Sequence, residues 1–584
     1  MKRFKILSAI TIILIFVMTN ACKESFLEIT PNGALDESVL GTYDGVDGLL
    51  IGAYSMLDGM SDQGTGGWEA ASSGWVYGSI RGMEANKGTD SGDQPDINPI
   101  QRYEETSTNP YLNAKWRSIY EAVSRCNSTI RTARTAYDAG TITDAQYDWF
   151  INQAKALRGW YHFEGWRLWG NMTTGAGIPY IDEETDISTV TNTLDVRGQI
   201  IADLTAGTKL PDDMGQVGRF NKTVSQVLLA KAEMQMNKNY DTAKGLLSTA
   251  ASSGTNPVGQ KAGLQAKYGD VFDTEFRNGV ESIYTVQYSV NDGSGGFNGG
   301  NGEVLNFPYK GGGGSPGGCC GFFNPTQDFV NSFRTSATGL PLIDNYNDEE
   351  VTSDQGLAPD DPFTEYTGTL DPRLDWAVGR RGIPYWDWGP HTGSDWIRDQ
   401  TYSGPYSPKK QVYKKSQEGQ LTEVGNWTSG WTANGYRMIR YADVLLMLAE
   451  CKAMTNDGDL GLTEVNLVRN RAANAAGFVK EADGTTNAAN YVIAPYSSFA
   501  SQAEAMKAIK FERKLELGME GHRYYDLQRW GDVQTELNRI MVHEKSMPWG
   551  NALYGAASID AEDVNFPVPQ RQIDLSNGNL VQNR

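Results

Sequence analysis

The chain has 584 residues, enough for a large core, and a formal net charge of −20. So acidic a surface repels nucleic acid and anionic lipid and suits a neutral or cationic ligand. Five cysteines and four histidines occur with no CxxC pair and no HExxH, so the spacing of a zinc site is missing.

The first segment reads as a delivery signal. Lys2, Arg3 and Lys5 precede an apolar run from Ile6 to Met18, and Thr19-Asn20-Ala21 leads into Cys22. The run is shorter than the roughly 20 residues a spanning helix needs. It is therefore expected to be a cleaved lipoprotein signal over 1–21, with Cys22 carrying lipid. A polar, turn-rich stretch through Pro31-Asn32-Gly33 would tether the body that follows.

Next comes a loop candidate, Gly64 to Asp93, which carries Trp68, Trp75, Tyr77, Arg81, Asp90 and Asp93. Helical spacing of apolar residues then predicts long packed helices from Tyr111 to Tyr137 and from Asp144 to Trp169. Val224 to Met236 followed by Tyr240 to Leu247 resembles a tetratricopeptide-like pair. Cys126 falls in such a pattern, as Cys451 does later, and each is expected to be a small buried apolar residue.

The middle of the chain changes character. Thirteen glycines lie between Gly293 and Gly321, too many for helix or regular strand, and they bracket Phe307, Tyr309, Phe322 and Phe323. Six of the fifteen tryptophans fall between Trp376 and Trp431 among Gly, Pro, Asp and Ser: Trp376, Trp386, Trp388, Trp396, Trp427 and Trp431. A sugar ring presents an apolar C–H face to an aromatic ring and its hydroxyls to polar groups. As a set these rings therefore read as a surface for a neutral saccharide, although any one of them is equally well explained as packing under a long loop.

The ligand-facing candidates are Trp68, Trp75, Arg81, Asp90, Tyr309, Cys319, Cys320, Phe322, Arg381, Trp386, Asp387, Trp388 and Tyr406. The neighbours Cys319 and Cys320 would make either a vicinal disulfide, a flat apolar platform, or two packed thiols. An Asp-rich turn from Asp90 to Asp96 offers oxygens to calcium without the spacing of an EF-hand. No cofactor is expected.

Beyond the insert, Tyr441 to Glu450 is apolar nearly all round and should be a central buried helix. Leu460 to Ala476 and Ser501 to Gly518 follow as helices. The last carries Glu512, Arg513, Lys514 and Glu516, whose mixed signs at helical spacing read as a structural ion-pair network.

Several segments together carry a resemblance: Ser25-Phe26-Leu27-Glu28, Tyr161-His162-Phe163-Glu164-Gly165-Trp166-Arg167-Leu168-Trp169-Gly170, Arg440 to Glu450, Glu512 to Leu517, Glu520 to Leu527 with Arg529-Trp530-Gly531, and Phe566-Pro567-Val568-Pro569 to Asn583. In this order, over essentially the whole chain, they are similar to the SusD/RagB family of Bacteroidota outer-membrane lipoproteins. The resemblance implies a mostly α fold with four tetratricopeptide-like helix pairs as scaffold and a loop-rich ligand-binding half. The implied layout is one domain over 22–584, with scaffold at about 40–270 and 436–584 and the insert at about 271–435.

It also implies a cell-surface, lipid-anchored, non-enzymatic protein that captures oligosaccharides and serves as a lid delivering them to a SusC-like TonB-dependent transporter. The chain departs from the family in its few acids after Cys22, and it holds no shared binding motif. Alternatives from other classes are a glycoside hydrolase using two of Asp387, Asp395 and Asp399, and a lid for peptide cargo. Gly312 to Gly317 fits GxGxxG by spacing alone.

Overall fold

The computed structural model describes residues 37–59, 67–309, 314–425 and 427–583. The signal segment and Cys22 lie outside them, as do Gly312 and Gly313. No helix among the described residues is long and apolar enough to cross a membrane.

The fold is mostly α, as expected. A first helix, α1 (Tyr43–Ser55), packs against α2 (Pro110–Asp138) and α3 (Asp144–Trp169), and α4 (Arg197–Gly207) follows. Then come α5 (Lys222–Ala232) and α6 (Tyr240–Ser253), and after the insert α7 (Tyr441–Met454), α8 (Leu462–Ala472), α9 (Gln502–Leu517), α10 (Arg523–Trp530) and α11 (Val533–Lys545). From α1 to α9 each helix packs on the next, α9 also packs on α7 and α10 on α11, and α2–α3, α5–α6 and α7–α8 form helical hairpins.

Local chemistry sets the helix ends. Asn109 caps α2 ahead of Pro110, and Thr143 with Gln146 closes a capping box on α3, satisfying N–H groups that a helix start leaves open. The apolar stripes bury as their periods require, and in α7 every residue from Ala442 to Cys451 is buried. Cys126 and Cys451 are free thiols within that core.

Segments distant in sequence are tied by strands and straps. Strand β1 (Ala85–Gly88) pairs antiparallel with β3 (Phe322–Pro325), and β2 (Ser282–Val286) with β4 (Tyr436–Arg440), which runs straight into α7. The C-terminal strap closes on the end of α3: Phe566 N donates to Leu168 O at 2.9 Å, Trp169 Nε1 to Pro567 O at 3.0 Å and Asn583 Nδ2 to Trp169 O at 2.8 Å.

At the centre of the scaffold lies a buried charge network. Arg440 at the end of β4 binds Glu516 (2.6 Å), Glu520 (2.7 Å) and Glu281 (2.9 Å). Arg373 reaches Glu512 (2.6 Å) and Glu516 (3.0 Å), Arg469 reaches Glu512 (2.8 Å), and Arg471 binds Glu281 (2.7 Å) and Glu516. Burial pushes the Glu516 carboxyl up, but Arg471, Arg440 and Arg373 outweigh it and hold the group below its usual range. The charges foreseen on α9 are thus structural. They clamp α8, α9, β2, β4 and, through Arg373, the middle of the insert into one frame.

Candidate functional site

Residues 271–435 fold into turns, short bridges and a small core of their own. Phe307, Tyr385, Trp396, Val412 and Tyr413 are buried together, with Trp386 and Trp388 packed against them. Contrary to the expectation from sequence, the rings of this region do not form one outward-facing set. Among the six tryptophans from Trp376 to Trp431, Trp396 and Trp431 are buried and Trp376, Trp386 and Trp388 are half-buried, whereas Trp427 is 46% exposed. The neighbours that bury them arrive from distant positions, as when Phe307 meets Tyr413 at 5.7 Å.

Four of the proposed contact residues are interior. Trp75 is the first residue of a fully buried turn over Trp75–Ile80; its indole donates to Gly302 O at 3.0 Å and meets Phe322 and Phe323 edge-on. Arg81 is fully buried between the rings of Tyr103 and Phe566, with Nη1 on Glu105 at 2.6 Å and Nη2 on Asp563 O at 2.8 Å. Phe322 lies in β3 at 0% exposure, and Tyr406 donates its hydroxyl to Gln327 Oε1 at 3.0 Å in the core. The Tyr406 phenol is spent on Gln327 and both terminal nitrogens of Arg81 are spent on protein acceptors; the Arg81 Nε, without an acceptor among the described residues, is itself buried, so neither group is presented to a ligand.

Four more candidates hold loops in place. Arg381 donates to the carbonyls of Ala358, Pro359 and Asp361 at 3.1, 2.5 and 2.6 Å. Asp387 is exposed but accepts the backbone N–H of Lys415 (2.6 Å) and Ser416 (2.9 Å); these bonds outweigh partial burial and hold its carboxyl below the ordinary value. Trp386 and Trp388 are half-buried, with indole N–H groups on Lys409 O (3.4 Å) and Tyr413 O (3.0 Å).

Three rings, Trp68, Trp427 and Trp431, pack in series and leave Trp427 exposed. Trp68 and Trp427 meet edge to face at 6.3 Å, and Trp427 meets Trp431 edge to face at 5.9 Å. Trp431 forms the floor, its indole donating to Asn301 Oδ1 at 3.2 Å. Glycine is required where the chain crosses this floor. At Gly296, with φ of +87°, a Cβ would stand 2.1 Å from the Trp431 ring, and at Gly425 it would stand 1.8 Å away. Phe297, directly after the first of these glycines, is 62% exposed. Phe297 and Trp427 were not among the site candidates; both sit beside glycines in the region flagged by composition, and that was the available signal.

Near Trp431 in sequence, Ser429 donates its N–H to Gly317 O at 3.1 Å, two residues before Cys319 and Cys320. These form a vicinal disulfide with Cys319 half-buried. Beyond lies Tyr309, half-buried, with the Arg398 guanidinium 5.6 Å above its ring. Arg398 pairs with Asp90 (2.9 Å) and Asp93 (2.6 Å), so the Asp-rich turn considered for calcium spends its charge on an arginine. Lys87 anchors the same turn through the carbonyls of Asp90 (2.7 Å) and Asp93 (2.6 Å), and burial lowers its ammonium to about 8 against the pull of both acids. Of the sequence candidates, Trp68 packs beside Trp427 and Trp431, Asp90 and Tyr309 meet at Arg398, and Cys319 is half-buried, whereas Cys320 is buried in the core at 6% exposure and is not a contact residue.

The molecule is thus a scaffold of stacked helices clamped by internal charges, with glycine-framed aromatic rings on its loop-rich part. The SusD family model matches residues 280–584, and the chain belongs to that family. Solved structures share the fold. One is surface glycan-binding protein A from Bacteroides uniformis, at 20% identity and a TM-score of 0.65 over 93% of this chain and 99% of that one. Another is surface glycan-binding protein A from Bacteroides thetaiotaomicron in complex with laminarihexaose, at 21% identity and a TM-score of 0.63 over 93% and 99%. A SusD superfamily protein from Bacteroides vulgatus ATCC 8482 aligns at 18% identity and a TM-score of 0.62 over 93% and 98%. No curated protein matches the sequence.

Proposed function

We propose that this protein captures a neutral glycan on the Trp68–Trp427 face, without cleaving it, and passes it as a lid to a SusC-like TonB-dependent transporter while lipid at Cys22 holds it at the outer-membrane surface. The observation that carries the reading is Trp427, 46% exposed and propped between Trp68 and Trp431 on a frame that only glycine fits. Held from both sides, its ring loses little freedom when a sugar stacks on it.

Binding rather than hydrolysis fits the acids nearby. A hydrolase needs a carboxyl kept protonated as general acid, whereas Asp387 is held ionised by backbone N–H groups and Asp399 caps the short helix Gln400–Ser403 through Thr401 N at 2.9 Å. The net charge of −20 suits a neutral cargo. Two or three stacked rings, each worth about 1 kcal/mol beyond area burial, together with a few hydrogen bonds, are compatible with micromolar binding, roughly −8 kcal/mol. That is weak enough for release into a transporter.

The test is native electrophoresis in gels containing laminarin, amylopectin, galactomannan or xyloglucan. Retardation in at least one gel, insensitive to salt and without any fall in polymer length, is expected. Salt-sensitive capture of cationic peptides with no retardation in any gel would favour peptide cargo instead.

A further inference from the structure

A disulfide stabilises a chain chiefly by closing a loop, and more so the longer the loop. The Cys319–Cys320 bond joins adjacent residues. It ties no distant segments together and adds little to global stability, so its effect is confined to the backbone on either side of it.

That backbone anchors two loops. On one side the Gly317 carbonyl accepts the N–H of Ser429 at 3.1 Å and the hydroxyl of Thr428 at 3.3 Å. The Gly317 N–H donates to the Tyr413 hydroxyl at 3.0 Å, which donates in turn to Ser429 O at 3.1 Å. Ser429 stands midway between Trp427 and Trp431 in sequence. On the other side Gly321 donates to Phe307 O at 3.0 Å and accepts the Thr89 N–H at 2.5 Å, at the start of the turn that Lys87 and Arg398 hold. Neither anchor tolerates a side chain: a Cβ would stand 2.7 Å from the Phe307 ring at Gly317 and 2.8 Å from Tyr309 at Gly321, both at positive φ. Glycine leaves such a backbone with the most freedom to lose. Within 317–321 only the two cysteines carry side chains, Cys320 seated in the core at 6% exposure and Cys319 half-buried above it.

We infer that the Cys319–Cys320 disulfide positions the Trp427 loop for glycan, so that affinity depends on the oxidation state of this pair. This rests on the glycan reading above. Cys320 is fixed by the core, the S–S bond fixes Cys319 to it, and Gly317 is thereby kept where Thr428 and Ser429 meet it. A water-soluble phosphine supplies the two electrons that break the S–S bond, water supplies two protons and the oxygen, and the products are two thiols and the phosphine oxide. The glycines are then free to turn, and the loop carrying Trp427 loses its far anchor. Binding must afterwards order that loop, which lowers affinity.

The experiment compares the oxidised protein, the same protein reduced with tris(2-carboxyethyl)phosphine and then reoxidised with oxidised glutathione, and the double variant Cys319→Ser/Cys320→Ser in the four polysaccharide gels. Cys126 and Cys451 are free thiols, so among the described residues this bond is the target of the reductant. Reduction is expected to weaken retardation about fivefold or more, with Tm held within about 2 °C. Hydrogen exchange without any glycan should quicken at 427–431 and not in the scaffold helices. Reoxidation should restore both, and the double variant should match the reduced protein and ignore the reductant. Equal retardation of oxidised and reduced protein overturns the inference and leaves the glycan reading standing, as does faster exchange spread through the scaffold with a fall in Tm. No retardation of the oxidised protein in any gel overturns the glycan reading and, with it, the role of the pair in binding.

Discussion

The scaffold and the face solve opposite problems with the same residue types. Around Arg440 and Glu516, charges are sealed from water and each cation meets its acids, so the network holds five segments in register. Around Trp427, large apolar rings are left in water, with glycines keeping the backbone out of their way. Buried charge here specifies position and exposed ring specifies contact, the reverse of the usual placement of polar and apolar groups. Such inversions are costly, and each marks a place where structure or function demands it.

The largest effect should follow from breaking the sealed side. Arg440→Ala leaves Glu281, Glu516 and Glu520 without their shared partner, and removing one member of a buried pair costs about 3 to 5 kcal/mol. The expected outcome in thermal unfolding is a steep fall in Tm or no cooperative transition, whereas an unchanged Tm would mean that the network contributes nothing.

Acid separates the two regions more finely. Glu516 lies below the usual carboxylate range in the folded chain, and Asp526 is held at about 2, where Arg513 and Arg529 overcome burial. Groups depressed on folding stabilise the protein above their unfolded values, near 4, and lose that contribution as pH falls through the folded ones. Glu84, buried where Ser79 and Met519 donate to it, has the opposite sign. Burial raises it to about 7 against the hydrogen bonds from Ser79 and Met519, so its contribution is present below about 4.5 and fades as pH rises to 7. Tm measured against pH should drop below about pH 4, and Glu84→Gln should remove the loss between pH 4.5 and 7 without touching the acid limb.

On the exposed side, Gly296→Ala should displace the Trp431 ring and weaken glycan binding more than it lowers Tm. The smallest effect belongs to Asp387→Asn, which loosens a turn over Lys415 and Ser416 and should leave glycan affinity unchanged within about twofold, as expected for a carboxylate spent on backbone N–H groups.

The helices were legible because periodicity and caps are local: Asp144 to Trp169 reads off the spacing, and Thr143 with Gln146 marks its start. The role of Glu512 and Glu516 was legible from the alternation of charge. The aromatic face was legible only as a region. Which of its rings point outward depends on partners far away in sequence, so Trp75 and Trp396 look like Trp427 until Gly302, Phe322 and Tyr385 are brought beside them. Arg81 shows the same limit, since the acceptors that occupy it are Glu105 and Asp563.

The central claim is that Trp427 meets sugar while the frame beneath it only positions the ring. Calorimetric titration of the wild type and Trp427→Ala with one oligosaccharide, drawn from the polymer that retards the wild type, tests it most directly. The account predicts micromolar binding by the wild type and a loss of about tenfold or more in the variant, roughly 1.4 kcal/mol, at unchanged Tm. Equal affinity in the two proteins would contradict it.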